Sequence, residues 1–262
     1  MLAEVAMLAP STDEFVLQPR YSIFPIRLLL WQPSVALHNK LNKMSKFVIF
    51  DMDGVLVDSE PIHMELEKIL FKNLRIDVPT SLHHTFVGMA PKRVWATLKE
   101  KYMLKHTIEE LFDIEKETKY AELQNREIVC IPAVDTLLAN LKAHGYSLSV
   151  ASSSPKNIIN LVLEKLGFNQ YFDFLVSSED VKEGKPSPDI FLEVAQRYHI
   201  PAHEFIVVED SSNGVKGAKA AGMKCIGYKS INSGNQDLSL ADMVVEDFSK
   251  LTVQDIELLY RS

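Results

Sequence analysis

Two carboxylates stand two residues apart in Asp51-Met52-Asp53-Gly54, where the apolar run Phe47-Val48-Ile49-Phe50 stops. If that run is a strand, side chains two apart project to one side, so the two acids share a side of extended backbone. Like charges this close repel and raise one pKa unless a cation lies with them. An Asp-x-Asp-Gly can equally be a turn made of good turn formers. Its place on the end of the most apolar strand favours chemistry. Other polar groups fall at comparable points: Ser152 after residues 148–151, Lys185 in Gly184-Lys185-Pro186, and Glu209-Asp210 after residues 205–208. Each has a plain alternative, as a turn opener, a solvated loop charge or a helix cap. Their shared position at the carboxyl ends of one predicted sheet argues for a common task.

Charge suggests the division of labour. A carboxylate approaching a phosphate dianion meets repulsion of a few kcal/mol even at an effective dielectric of about 20, so a cation is required. Mg2+ suits oxygen ligands and bridges carboxylate to phosphate. Asp51, the backbone carbonyl of Asp53 and Asp210 are expected to hold it, with Glu209 as a further ligand or as a base behind them. Lys185 then neutralises the phosphoryl oxygens from the other side. Ser152 hydrogen-bonds them, helped by backbone N–H groups at the start of the helix after Ser154. On this reading Asp51 forms an acyl phosphate, dividing one displacement into two. Asp53 protonates the leaving alkoxide and later deprotonates the incoming water or alcohol. Gly54 lets the chain turn away without a side chain obstructing the site.

These residues need elements to position them. The run 47–50 reads as a parallel strand buried on both faces. Residues 148–151, 174–176, 205–208 and 224–228 resemble it. A helix is predicted over 155–166, with Ser154 as N-cap, Pro155 at the first position and Gly167 as the stop. Another starts at Ser187-Pro188. A third, 214–221, is rich in Gly and Ala, can lie close on a sheet, and ends at Gly222. Strand and helix alternating over 131–248 predicts a doubly wound parallel α/β sheet with ligands at the carboxyl ends of its strands. Residues 60–129 differ. Ile62, Leu66, Ile69 and Leu70 follow helical spacing, and Val94, Leu98, Leu104, then Leu111, Ile114 and Tyr120, suggest two or three further helices. An insertion there reads as a lid over the end of the first strand.

The expected organisation is therefore a core of residues 45–59 and 131–262, a small helical cap of residues 60–130, and a poorly structured extension over residues 1–44. In the extension Pro19, Pro25 and Pro33 interrupt any element, and Met44 could be an alternative start. Its acids Glu4, Asp13 and Glu14 disfavour a targeting presequence. The net charge of -7 disfavours a broad nucleic-acid surface, which draws its affinity from clustered Lys and Arg. Cys130 and Cys225 stand far apart without a metal-ligand pattern, so both read as reduced thiols of a cytoplasmic protein. No apolar stretch reaches the ~20 residues of a membrane span. The expected partner is a small phosphorylated metabolite, with no nucleic acid and no membrane, met by a monomer or weak dimer.

The same residues resemble a known family, the haloacid dehalogenase superfamily, in its subgroup with a helical cap after the first strand. That subgroup contains beta-phosphoglucomutase and many sugar-phosphate phosphatases. Residues 50–59, from Phe50-Asp51-Met52-Asp53-Gly54 to Asp58-Ser59, look like its first motif and Ala151-Ser152-Ser153 its second. Gly184-Lys185-Pro186-Ser187-Pro188-Asp189 looks like the third and Val208-Glu209-Asp210-Ser211 the fourth. The match runs from Phe47 to about Val245. It implies a Rossmann-like core, an Asp51 nucleophile, Asp53 as general acid and base, and Mg2+ held by Asp51, Asp53 and Asp210. The second Asp of the first motif argues against a dehalogenase, whose chemistry does not need that acid. His63 matches a histidine of beta-phosphoglucomutases and of several phosphatases, and Ser153 is expected beside the substrate. Gly88-Met89-Ala90-Pro91-Lys92-Arg93 sits where the mutase has a short loop ending in an arginine that grips the distal phosphate. Ala90 and Pro91 depart from that loop, and Lys92 or Arg93 could serve only with a shift in register. The altered loop favours a phosphatase over a mutase. A silent phospho-ligand binding module is the reading from another class, and the intact Asp51, Asp53, Lys185 and Asp210 set argues against it.

Overall fold

In the computed structural model of the chain, which describes residues 46–83, 91–230, 232 and 234–261, the leading apolar run forms strand β1 (Lys46–Phe50). The expectations on residues 1–44 and Gly88 lie outside the described residues. After β1 come helices α1 (Glu60–Asn73), α2 (Thr80–His83), α3 (Pro91–Tyr102), α4 (Ile108–Asn125) and α5 (Val134–Ala143). Strand β2 (Tyr146–Ser152), helix α6 (Lys156–Leu166), strand β3 (Phe174–Ser177), helix α7 (Asp189–Tyr198) and strand β4 (Phe205–Glu209) follow. Helix α8 (Ser212–Ala220), strands β5 (Lys224–Tyr228) and β6 (Met243–Val245) and helix α9 (Val253–Arg261) complete the order. The sheet has six strands in the order β3-β2-β1-β4-β5-β6, and every pairing is parallel. Chain order therefore reverses at β1 and β4, the point where the strand ends of an open sheet leave a crevice.

Residue parity on β1 divides the core. Val48 and Phe50 join Leu148, Val150, Ile206, Val208 and Ile226 in one apolar cluster with residues of α5, α6 and α9. Phe47 and Ile49 join Val207 and Cys225 in a second cluster with Ile190, Phe191 and Val194 of α7 and Val215 and Ala218 of α8. Burial on both faces accounts for the unbroken apolar runs, since a strand with one wet face would alternate. The inserted helices carry a small core of their own around Leu70, Phe71, Trp95, Leu98 and Leu111. Leu66 of α1 and Leu123 of α4 instead join the first sheet cluster and seat the insertion on it.

Several local expectations need correction. The helix expected over 155–166 runs Lys156–Leu166 and stops at Gly167 with φ 68; Pro155 is its N-cap rather than its first residue, and the Ser154 hydroxyl is given to Asp53 instead of capping it. At α7 the cap is Pro188, while Ser187 donates to Asp189 Oδ1 at 2.7 Å. Helix α8 begins before Gly214, because Ser211 caps it by accepting the Gly214 N–H at 3.0 Å. Leu104 is not helical: α3 ends at Tyr102, Met103 takes φ 51, and Leu104 folds back onto the inserted core. Strand β6 adds a sixth strand to the five that the sequence predicts. Among the described residues, no helix is long and apolar enough to cross a membrane.

Candidate active site

Asp51 continues β1 by donating its N–H to Val208 O at 2.9 Å, which pins it beside the end of β4. Parity places its side chain with Phe47 and Ile49, on the side of α7 and α8. There Lys185 enters from the loop before α7. Its ammonium donates to Asp51 Oδ1 at 2.5 Å, Glu209 Oε1 at 2.7 Å and Ala151 O at 3.0 Å. It also stands 5.3 Å over the Phe191 ring. Asp51, Glu209 and Asp210 are all buried, and one ligand oxygen from each lies within 4.8 Å of the others. Burial raises the Asp51 pKa well above the ordinary carboxylate value; Lys185 opposes the rise, and Glu209, Asp210 and Asp53 add to it. Burial alone would lower Lys185, but Asp51 and Glu209 outweigh it and hold the ammonium more firmly protonated than usual.

Asp53 faces a different group. Gly54, with φ 76, turns the chain straight after it, and the Gly54 N–H closes the turn on Val57 O at 2.8 Å. Asp53 Oδ2 accepts the Ser154 hydroxyl at 2.9 Å and lies 3.5 Å from the Ser152 hydroxyl. Ser154, expected as a cap, instead holds Asp53. Ser152 is fully buried, and its Oγ accepts the Ser154 N–H at 3.1 Å. The helix start expected to offer N–H groups to a phosphate is partly committed, because Lys156 N–H donates to Glu179 Oε2 at 3.1 Å. Ser153 points into solvent, and its carbonyl accepts the Ser178 hydroxyl at 2.7 Å.

The inserted helices bring one further group that the sequence did not suggest. Lys119 of α4 lines a cavity of about 30 Å³ together with Asp53, Ser154, Ile62, Leu66, Leu123 and Ile158. Its ammonium is paired with Glu115 Oε1 at 2.7 Å, and Glu115 Oε2 accepts the Trp95 indole N–H at 2.6 Å. Burial lowers the Lys119 pKa, but Glu115, then Asp53 and Glu67, raise it further, so the ammonium stays charged. Each of the two acids thus has a cation near it, Lys185 beside Asp51 and Lys119 across from Asp53. Lys119→Met keeps the length and removes the charge. It is expected to lower kcat/KM about 10-fold or more, the worth of one hydrogen bond to a charged group, without lowering Tm by more than a few degrees. Steady-state kinetics beside thermal unfolding check this, and unchanged kinetics would reduce Lys119 to a partner of Glu115.

Of the residues singled out from sequence, the fold gathers Asp51, Asp53, Ser152, Lys185, Glu209 and Asp210 at the ends of β1, β2 and β4. Arg93 lies exposed on α3 and is not among the residues lining the cavity. His63 falls on α1 and Lys92 on α3, but their side chains lie outside the described residues.

The donor set fits a hard divalent cation. It is all oxygen, it is buried, and it gathers three neighbouring carboxylates around the Lys185 ammonium. Glu209 commits Oε1 to Lys185 and Oε2 to the N–H and hydroxyl of Ser211, at 2.9 and 3.0 Å. That favours the supporting role over direct ligation. The Asp53 carboxylate stands outside this group and with the serines, which leaves its backbone carbonyl as the expected contribution.

Comparison with known proteins gives a consistent picture. The family model described as haloacid dehalogenase-like hydrolase matches residues 48–228. The chain is 32% identical over 198 residues to the phosphorylated carbohydrates phosphatase of Thermotoga maritima, covering 74% of this chain and 89% of that protein. It is 32% identical over 223 residues to the bifunctional riboflavin kinase/FMN phosphatase of Arabidopsis thaliana, covering 84% of this chain but spanning only 58% of that protein. Among solved structures it is similar to beta-phosphoglucomutase from Clostridium difficile, with a TM-score of 0.68, 25% identity, and coverage of 83% of this chain and 98% of that one.

Proposed function

Because this chain belongs to the haloacid dehalogenase-like hydrolase family, we propose that it is a Mg2+-dependent phosphatase of a small phosphorylated metabolite, a sugar phosphate, working through an aspartyl phosphate on Asp51. The observation that carries this is the buried group of Asp51, Lys185, Glu209 and Asp210, with Asp53 held on the far side by Ser154. The sugar phosphate is supported by the Thermotoga maritima relative, whose name states phosphorylated carbohydrates.

Asp51, Asp210 and the Asp53 carbonyl would hold the Mg2+, which supplies charge neutralisation between carboxylate and phosphoryl oxygens. Lys185, lodged beside Asp51 between Ala151 O and Glu209, binds those oxygens, and the buried Ser152 hydroxyl orients them. Asp51 then attacks phosphorus in line with the leaving alkoxide, whose oxygen takes a proton from Asp53. In the second half Asp53 removes a proton from water as it attacks the same phosphorus, and Asp51 leaves. Ser154 keeps the Asp53 carboxyl turned toward this task, and Lys119 meets charge on the leaving-group side. The cavity beside Asp53 is small, so a sugar lodged there would require α1 and α4 to part from the start of α6.

A phosphate-release screen over sugar and nucleotide monophosphates with Mg2+ tests the reading, and sugar monophosphates are expected to give the highest kcat/KM. The likeness to a beta-phosphoglucomutase favours one second reading, as a mutase. Beta-glucose 1-phosphate with a trace of the bisphosphate separates them: free phosphate supports hydrolysis, and isomerisation without free phosphate supports the mutase. Ligand binding with no phosphate released across the panel would leave a silent binding module.

A further inference from the structure

Gly214 occupies the third position of α8, and its N–H is donated to the capping Ser211 hydroxyl. Helix formation alone disfavours glycine there, since it has more conformational freedom to lose than any other residue. A neighbouring side chain demands it. A Cβ on Gly214 would lie 1.8 Å from Glu209 Cδ, 1.8 Å from Oε1 and 2.3 Å from Oε2. At Gly217, one turn on, a Cβ would meet Phe191 Cε2 at 3.1 Å and Ser187 O at 3.2 Å, which is tight packing rather than overlap.

A carboxylate on a flexible side chain can often step aside, but Glu209 cannot do so without loss. It is 1% exposed. One oxygen holds Lys185, and the other holds the N–H and hydroxyl of Ser211. Ser211 in turn caps α8, so the start of the helix, the glutamate and the lysine form one connected set. We propose that Gly214 is a positioning residue: the side chain it lacks leaves the slot in which the Glu209 carboxylate lies, and Glu209 in that slot sets where the Lys185 ammonium stands against Asp51. The inference rests on the reading of Asp51 and Lys185 as the phosphoryl-transfer pair. It adds that the geometry of this pair is set from behind by a residue that touches neither of them.

The test places Gly214→Ala in two backgrounds, the unaltered chain and Glu209→Asp, whose carboxylate is one methylene shorter and withdrawn from the slot. Hydrolysis of p-nitrophenyl phosphate with Mg2+, thermal unfolding, and acetylation of Lys185 by acetic anhydride, mapped by mass spectrometry, are measured for all four proteins. In the unaltered background Gly214→Ala is expected to lower kcat about 100-fold, the scale of loss from an ångström-sized misplacement, with KM little changed and Lys185 acetylated faster. In the Glu209→Asp background, already reduced in activity, the same change should cost less than about 3-fold more, because the group it displaces is gone. Folding lost in the first background and kept in the second supports the inference equally. Equal losses in both backgrounds, of activity or of folded protein, or Lys185 acetylation unaltered by Gly214→Ala, overturn it. If the unaltered protein releases no phosphate the proposed function fails instead, and the acetylation and unfolding arms still decide the role of Gly214.

Discussion

Asp51→Asn should yield a folded protein whose kcat is lower by at least about 10^4-fold, because an amide of the same shape cannot form the acyl phosphate. The shape is kept where it matters to the fold. The Asp51 N–H still reaches Val208 O, and Lys185 retains Glu209 and Ala151 O as acceptors. The substitution also removes one of three neighbouring buried carboxylates, a site where burial first, and Glu209 and Asp210 after it, raise the Asp51 pKa. In metal-free buffer its Tm should therefore match or exceed that of the unaltered chain. Phosphate release and thermal unfolding together check this, and retention of most activity would move the nucleophile elsewhere.

Chelation of divalent ions should abolish turnover by at least about 10^3-fold, and added Mg2+ should restore it, since a carboxylate and a phosphate dianion otherwise meet unscreened. The same ion should stabilise the native state. Asp51, Glu209 and Asp210 crowd one buried site beside Lys185, so a divalent cation bound there is expected to favour the folded chain. At about 100 times its dissociation constant the gain is ~2.7 kcal/mol, which in a chain of this size raises Tm by several degrees. Asp51→Asn should blunt that rise. A Tm indifferent to Mg2+, with turnover surviving in chelator, would remove the metal from the account.

The part of the site that was legible in the sequence is the part that strands deliver. An apolar run buried on both faces announces itself, and whatever polar residue ends it sits at the crevice; Asp51, Ser152 and Glu209 were found in this way. What local pattern misjudged depends on partners far along the chain. Ser154 before Pro155 has the look of a helix cap, yet its hydroxyl is taken by Asp53, 101 residues away. Lys119 carries no signal in its own helix, where a lysine four residues after a glutamate is ordinary surface pairing. Only the seating of α4 against the sheet brings it to Asp53. Strand β6 is three residues long and half exposed, too short for its period to register. The turn at Met103 ended α3 early because that residue adopts a left-handed conformation that apolar spacing cannot foretell.

The bond from the Trp95 indole to Glu115 has an optical consequence. Trp95 is 3% exposed, and one carboxylate separates its ring nitrogen from the ammonium that lines the cavity. An incoming anion that draws Lys119 away leaves Glu115 to the indole alone and strengthens the local field on its excited state. Emission from this tryptophan, read against that of Trp31, is therefore expected to shift as the cleft fills, and a phosphate titration of the unlabelled chain's fluorescence checks it.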